Sequence, residues 1–352
     1  MQLLALGLRL DRMGAEQLVI LGAGAAGLSA AWHARVYGLE ALLIDRQGGP
    51  GGAWRRMRPN MKCLSHRKYD RLPDGTFPRG PGNLARAIEV KEWLQRFAAQ
   101  NAFESSYSTS VTRVWRRGGV LRVQTSSGTV DTRRLLIATG EHGAPWVPSF
   151  ASTVLVPQTH SSRLKEGEVA SNERVLVVGG GNSGAEVTRL LLEAGATVFL
   201  SLGRRAVRHV PMPKGLLADI GFRASGLPVH FFPNRLGCTD RTPLVDSMFH
   251  DAIREGRVEV VPRVVGATTK GVRLEDGHRL EVDRVVWATG FKRETDCLSA
   301  VLPVGSRGEI SQRKGRVASD IGVVGIPCMR TRRSGFLRGF ADDSRAVLRA
   351  LL

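Results

Sequence analysis

The chain has 352 residues, 42% of them hydrophobic and 24% charged, with a formal net charge of +19. That length allows two domains with real cores, and the composition is that of an ordinary globular protein rather than a disordered one. No apolar run approaches the roughly 18 residues needed for a membrane-crossing helix, so no membrane partner is expected.

The charge sits in pairs such as Arg55-Arg56, Arg67-Lys68, Arg116-Arg117, Arg133-Arg134, Arg204-Arg205 and Arg332-Arg333. These fall on predicted loops and strand ends, with no basic helix and no aromatic-interleaved patch. An arginine-rich surface with phosphate pockets is therefore preferred to nucleic-acid binding. Cys63, Cys238, Cys297 and Cys328 form no CxxC pair. Their spacing points to reduced thiols in a cytoplasmic protein and away from structural zinc, and no metal site is expected. Met1 to Asp11 has neither a basic n-region nor a small-residue cleavage site, so secretion is not expected.

The first recognisable element is the apolar strand Val19-Ile20-Leu21, which runs into Gly22-Ala23-Gly24-Ala25-Ala26-Gly27 and a helix from Leu28 to Tyr37. Gly22 makes the tight turn, Gly24 lets backbone approach a pyrophosphate, and Gly27 lets the helix pack on the strand. The free N–H groups of the helix start then face the phosphates. The next strand, Glu40 to Asp45, ends in an acid suited to a ribose hydroxyl pair. The segment from Gln47 to Asn83 is rich in Gly, Pro and Arg and reads as an irregular excursion over a cofactor. Helical spacing from Val90 to Asn101 puts Val90, Trp93, Leu94 and Phe97 on one face. Short alternating strands follow between Val111 and Thr132, and a buried strand, Leu135 to Ala138, ends in Ala138-Thr139-Gly140.

The fingerprint then recurs. Arg174 to Val178 leads into Gly179-Gly180-Gly181-Asn182-Ser183-Gly184 and a helix from Ala185 to Glu193. Thr197 to Arg205, the strand that follows, contains no acid and ends in Arg204 and Arg205. These either grip a 2′-phosphate with paired donors or are ordinary solvated charge. The first site therefore suits FAD and the second suits NADPH. Val258 to Val282 reads as hairpin strands, and Arg284 to Trp287 closes on a second Ala288-Thr289-Gly290 turn. At both Ala-Thr-Gly turns, a small residue and backbone N–H groups can lie against a cofactor. A strand at Gly322 to Gly325 and a helix from Phe340 to Leu352 complete the chain.

The expected fold is α/β, with two Rossmann-type dinucleotide-binding domains and the NADPH domain inserted into the FAD domain. The expected boundaries are residues 1–150 for the first part of the FAD domain, 151–291 for the NADPH domain and 292–352 for the return segment. The sequence sets no oligomeric state.

Gly51-Gly52-Ala53-Trp54 resembles the GGxW segment of flavin-containing monooxygenases and their Baeyer–Villiger-type relatives. The run from Trp54-Arg55-Arg56 through Leu64-Ser65 to Leu72-Pro73, the Gly179-to-Glu186 fingerprint, and the tail Val324-Gly325-Ile326-Pro327 with Arg330 to Arg333 and Gly339 are similar to the small bacterial members. The resemblance covers nearly the whole chain from residue 17. Thr159-His160-Ser161-Ser162 matches the histidine region of that family's identifying sequence, but Phe150 lies too far upstream and the glycine is missing.

The resemblance implies a flavin that NADPH reduces and that reacts with oxygen to a C4a-(hydro)peroxide. That species would pass one oxygen atom to a small-molecule substrate carrying nitrogen, sulfur or a ketone. It places Gly22, Gly24, Gly27, Asp45, Arg46, Gly52, Trp54, Ser65, Thr139, Gly140 and Gly325 against FAD. It places Gly179, Gly181, Asn182, Ser183, Gly184, Arg204, Arg205, Thr289 and Gly290 against NADPH. Asn60, Arg55 and His160 are the candidates for direct roles in the chemistry. Asn60 is either a hydrogen-bond donor or an exposed loop residue, and His160 is either a base or gate or a linker histidine held by backbone. The Arg330–Arg333 cluster either binds flavin or selects an anionic substrate. Cys63 keeps open a single-thiol reductase, and reductase or oxidase activity without oxygen transfer is the competing enzyme class. A redox-sensing flavoprotein is the non-enzymatic alternative.

Overall fold

The computed structural model describes residues 15–165, 167–203, 215–228 and 247–352. The chain divides into two compact units, one of Met1–Gly143, Asp219–Asp240 and Lys292–Leu352, the other of Ala144–Ala218 and Arg241–Phe291.

In chain order, the elements are β1 (Leu18–Leu21), α1 (Ala25–Val36), β2 (Ala41–Ile44), β3 (Lys62–His66), β4 (Leu84–Arg86), α2 (Ala87–Asn101), β5 (Ser105–Ser106), β6 (Val111–Arg117), β7 (Val120–Thr125), β8 (Gly128–Thr132) and β9 (Leu135–Ile137). Then come β10 (Gln158–His160), β11 (Arg174–Val178), α3 (Asn182–Glu193), β12 (Thr197–Ser201), α4 (Gly215–Ala224), α5 (Ser247–Arg254), β13 (Val258–Val261), β14 (Val264–Thr268), β15 (Gly271–Leu274), β16 (Arg279–Glu281) and β17 (Arg284–Trp287). The chain ends with β18 (Ile321–Val323) and α6 (Leu337–Leu351).

The fold is mixed α/β, with a parallel five-stranded sheet in each unit. In the first unit the strand order is β18-β9-β1-β2-β5, and in the second it is β10-β17-β11-β12-β13. Every neighbouring pair in both sheets is parallel. Such strands are covered on both faces, and so β1 reads Leu-Val-Ile-Leu without a polar break and is buried throughout. α1 is buried over most of its surface for the same reason. It packs against α6, and the His33 ring bonds the Ala341 carbonyl of that helix at 3.0 Å. α2 begins three residues before its expected start, where the Glu89 carboxylate accepts the Arg86 N–H at 2.9 Å. Val90, Trp93, Leu94 and Phe97 share its buried face.

Three sequence expectations change. The Gln47–Asn83 excursion is partly regular, with a 3₁₀ turn at Gly52–Arg55 and β3 paired to β4. Val258–Val261 is no hairpin strand; β13 forms the parallel edge beside β12, leaving β14 to β16 as the antiparallel meander. Its short apolar run fits either role, and only the sheet partner decides. The third change concerns the thiols. Cys63 and Cys297 are free, but Cys328 is disulfide-bonded, which removes the argument from four reduced thiols to a reducing compartment. Sequence spacing could not show this, because a disulfide requires only proximity in the fold.

Residues 219–228 lie within the 151–291 stretch yet cluster with the first unit. Their contacts explain this. Phe222 stacks on Tyr69 with centroids 4.3 Å apart, while the Arg333 guanidinium lies 4.0 Å from the same ring centroid. Lys68 and the Tyr69 hydroxyl both donate to Asp219, at 2.8 and 2.6 Å. Among the described residues, no helix is long and apolar enough to cross a membrane.

Candidate functional site

In the first unit, the strand–turn–helix from β1 to α1 forms a cradle whose shape depends on missing side chains. Gly22 has φ +109°, and a Cβ there would lie 2.6 Å from the Ala138 carbonyl oxygen. At Gly27 a Cβ would fall 1.9 Å from the Gly22 oxygen, so helix and turn approach as only glycine allows. Gly24 caps α1 without any side-chain hydrogen bond. Gly52 presses on this turn, because a Cβ at Gly52 would come within 2.7 Å of the Gly24 Cα. Gly325 approaches from the return segment, with its would-be Cβ 2.9 Å from the Ala26 Cβ.

Asp45, one residue past β2, is buried. Its Oδ2 accepts the Ala23 N–H at 2.7 Å and its Oδ1 accepts the Gln47 N–H at 2.8 Å. The Gln47 amide donates in turn to the Gly52 carbonyl at 2.9 Å. The acid thus ties the glycine turn to the Gly51-Gly52 segment and keeps lone pairs for further donors. Arg46 is ion-paired with Glu294. Trp54 packs on the core of the first unit. Arg55 folds back along Gly49 and Gly51 toward the Pro50 carbonyl, and Asn60 is exposed.

Ser65 is buried on β3, and its hydroxyl donates to both oxygens of Asp70, at 2.9 and 3.1 Å. Asp70 is wholly buried, and burial pushes its pKa up to about 6 against the pull of Ser65 and Arg338. Thr139 and Gly140 follow β9 half-buried, Gly140 with φ +69° and open space where a Cβ would stand. Arg330 is committed to the buried Asp343 at 3.2 Å and Arg333 to Phe222. These two arginines therefore serve packing within the unit.

The second unit repeats the cradle. Gly179 has φ +120° with its would-be Cβ 2.3 Å from the Ala288 carbonyl oxygen, and Gly184 would put one 1.9 Å from the Gly179 oxygen. Gly181 caps α3 with no side-chain bond and has open space at its Cβ position. Asn182 and Ser183 form the first turn of α3. Gly290 matches Gly140, with φ +87° and open space. The Thr289 hydroxyl donates to the Trp146 carbonyl. Arg204 and Arg205 lie outside the described residues.

His160 ends β10 in a buried position. Nδ1 accepts the Ser162 N–H at 3.2 Å, which leaves Nε2 to carry the proton and donate to the Gly290 carbonyl at 2.9 Å. Burial lowers its pKa, so the neutral ring holds this geometry.

Two features escaped the sequence reading. The repeated Ala-Thr-Gly turns pointed to Ala138 and Ala288, but not to their carbonyls as the surfaces on which Gly22 and Gly179 pack. Asp70 left no signal at all, since an acid in a polar, proline-rich stretch reads as solvated.

A family model described as pyridine nucleotide-disulphide oxidoreductase matches residues 19–214, more than half of the chain. An uncharacterized oxidoreductase, CzcO-like, of Geobacillus kaustophilus is 24% identical over 95% of this chain and 98% of its own length. Indole-3-pyruvate monooxygenase YUCCA1 of Oryza sativa is 28% identical, covering 78% of this chain and 76% of its own. Among solved structures, the flavin-containing monooxygenase of Stenotrophomonas maltophilia superposes with a TM-score of 0.79 at 23% identity, over 96% of this chain and 98% of that one.

Proposed function

We propose that this chain, which belongs to the pyridine nucleotide-disulphide oxidoreductase family, is an FAD- and NADPH-dependent monooxygenase that inserts one oxygen atom into a nitrogen, sulfur or ketone substrate. One observation carries the reading of two nucleotides: the Gly22–Gly27–Ala138 packing recurs residue for residue as Gly179–Gly184–Ala288. Each cradle leaves an uncapped helix start, whose N–H groups and dipole suit a pyrophosphate. The residues present therefore fit the groups.

In this reading, residues 1–150 and 292–352 form the FAD domain and 151–291 the inserted NADPH domain, with 219–228 packed on the former. Asp45 accepts the ribose hydroxyls of FAD, and Gly52, Trp54, Ser65, Thr139, Gly140 and Gly325 line its path. Gly179, Gly181, Asn182, Ser183, Gly184, Thr289 and Gly290 hold NADPH. The lack of an acid between Thr197 and Arg205 favours a 2′-phosphate, which Arg204 and Arg205 would grip.

The flavin supplies hydride acceptance and oxygen activation when bound. The chain positions it, keeps water away and orients the substrate. His160, neutral and held at both nitrogens, fixes the Gly290 turn rather than moving protons. The monooxygenase reading takes its support from the likeness in fold and from the sequence likeness to proteins named as monooxygenases. A single-thiol reductase finds little support at Cys63, whose burial pushes its pKa up to about 12 and suppresses the thiolate.

The test is anaerobic reduction of the purified flavoprotein by NADPH, then rapid mixing with oxygen while visible spectra are followed. A transient spectrum before the oxidised flavin returns, with substrate-dependent product carrying oxygen from O₂, is the expected result. Direct reoxidation with stoichiometric hydrogen peroxide for every substrate class would leave an oxidase or reductase.

A further inference from the structure

Asp70 is a buried ionisable group for which the nucleotide cradles give no use. Its side chain is wholly buried, and the Ser65 hydroxyl is the donor its two oxygens share. The Ser65 hydroxyl and the nearby Arg338 charge compensate the buried carboxylate only in part, so its ionised form costs stability. Its backbone is fixed on both sides: the Asp70 N–H donates to the Arg67 carbonyl at 3.1 Å and the Asp70 carbonyl accepts the Phe77 N–H at 2.8 Å. The carboxylate is therefore aimed at Ser65 by the fold. The titratable and charged groups facing it are Arg338 on α6 and the Cys63 thiol on β3.

We infer that Asp70 is a positioning residue that sets the hydrogen-bonding polarity of Ser65 toward bound flavin, turning that hydroxyl from an acceptor into a donor when Asp70 takes up a proton. The inference rests on the proposed flavin site, in which Ser65 lines the cofactor. The physical argument is one of counting. A serine hydroxyl has one proton and two lone pairs. While Asp70 is ionised it consumes that proton, so Ser65 can only accept from a neighbouring ligand. Once protonated, the Asp70 carboxyl donates to the Ser65 oxygen and frees the Ser65 proton to donate elsewhere. Only the Asp70 proton exchanges with solvent; the hydroxyl proton merely turns. Burial brings the change to about pH 6, within the range where a cell can move it.

The test uses the holoenzyme and the visible spectrum of bound flavin, titrated from about pH 5 to about pH 8. The wild type is expected to show a spectral shift with its midpoint near pH 6. Asp70→Asn, which stays neutral at every pH, should remove the pH-dependent shift. Ser65→Ala should abolish the shift, and Ser65→Thr, which keeps the hydroxyl, should restore it. A purely structural role would change the melting temperature of the variants and leave the midpoint in place in Ser65→Ala, and that result overturns the inference. So does a pH-independent spectrum in flavin-loaded wild type. Should Asp70→Asn fail to fold, the Ser65→Ala and Ser65→Thr pair decides alone. A chain that binds no flavin would instead overturn the proposed function, and this inference with it.

Discussion

The Asp45 carboxylate accepts the N–H of Ala23 at 2.7 Å, so the acid at the end of the second strand buttresses the middle of the first glycine turn. On the proposed function, the same side chain also accepts the ribose hydroxyls of FAD. Asp45→Ala would remove the brace and, with it, that proposed acceptor, leaving the Ala23 and Gln47 N–H groups without their partner. Flavin affinity is expected to fall by at least about a hundredfold, near 3 kcal/mol, as for lost charge-assisted bonds. Asp45→Asn keeps one acceptor and should lose less. The flavin-to-protein absorbance ratio after gel filtration, with FAD titration of the apoprotein, checks the order.

The equivalence of the two cradles can be tested by the same substitution in each. A Cβ at Gly27 or Gly184 meets the carbonyl oxygen of Gly22 or Gly179 at 1.9 Å, so backbone must shift in either case. Gly27→Ala should yield protein depleted of flavin. Gly184→Ala should stay yellow, with the KM for NADPH raised about tenfold or more and flavin content unchanged. Loss of flavin from Gly184→Ala alone would contradict the division of nucleotides.

Much of this was legible because parallel strands and glycine turns write themselves locally. β1 and β11 are short apolar runs ended by a glycine turn, and the third glycine of each turn has a steric reason that sequence expresses directly. The strand at 258–261 misled because a half-buried edge strand and a hairpin strand share one pattern. Phe222 was silent for another reason: its partners, Tyr69 and Arg333, are 153 and 111 residues away in sequence, reckoned from those three positions. The disulfide at Cys328 and the Ser65–Asp70 bond are likewise products of folding.

Two buried acids give the stability of the fold an unusual pH dependence. Asp70 and Asp343 both have pKa values raised from 3.8 to about 6 by burial. A raised carboxyl pKa means that the folded state holds its proton more tightly than the unfolded chain. Each group's contribution is therefore fully present below about pH 4, is lost as pH rises to about 6, and stays lost above. A shift of about two units corresponds to at most roughly 3 kcal/mol per group. Asp70→Asn should flatten the stability profile between about pH 4 and 6 and raise stability at pH 8 by about 1–3 kcal/mol. Asp343→Asn should gain less, because it deprives Arg330 of its anionic partner. Urea unfolding across this range reads both.

His160 titrates with the opposite sign. Burial depresses its pKa in the folded state, and its ring is a neutral bridge from Ser162 to the Gly290 carbonyl. Stability from this group is present above the ordinary value near 6.5 and is lost as pH falls through the lowered folded value, since the unfolded chain takes the proton first. His160→Ala would leave the half-buried Gly290 carbonyl with the Trp146 N–H as its remaining donor and open a cavity beside Phe291, whose ring lies 5.1 Å away. The expected cost is about 1–3 kcal/mol, together with a higher KM for NADPH, because the Gly290 turn loses one of its two tethers. His160→Gln, which retains an N–H donor at similar reach, should recover part of both. A wild-type-like melting temperature and KM in His160→Ala, with a changed pH profile of the flavin half-reaction, would instead assign the ring to proton transfer.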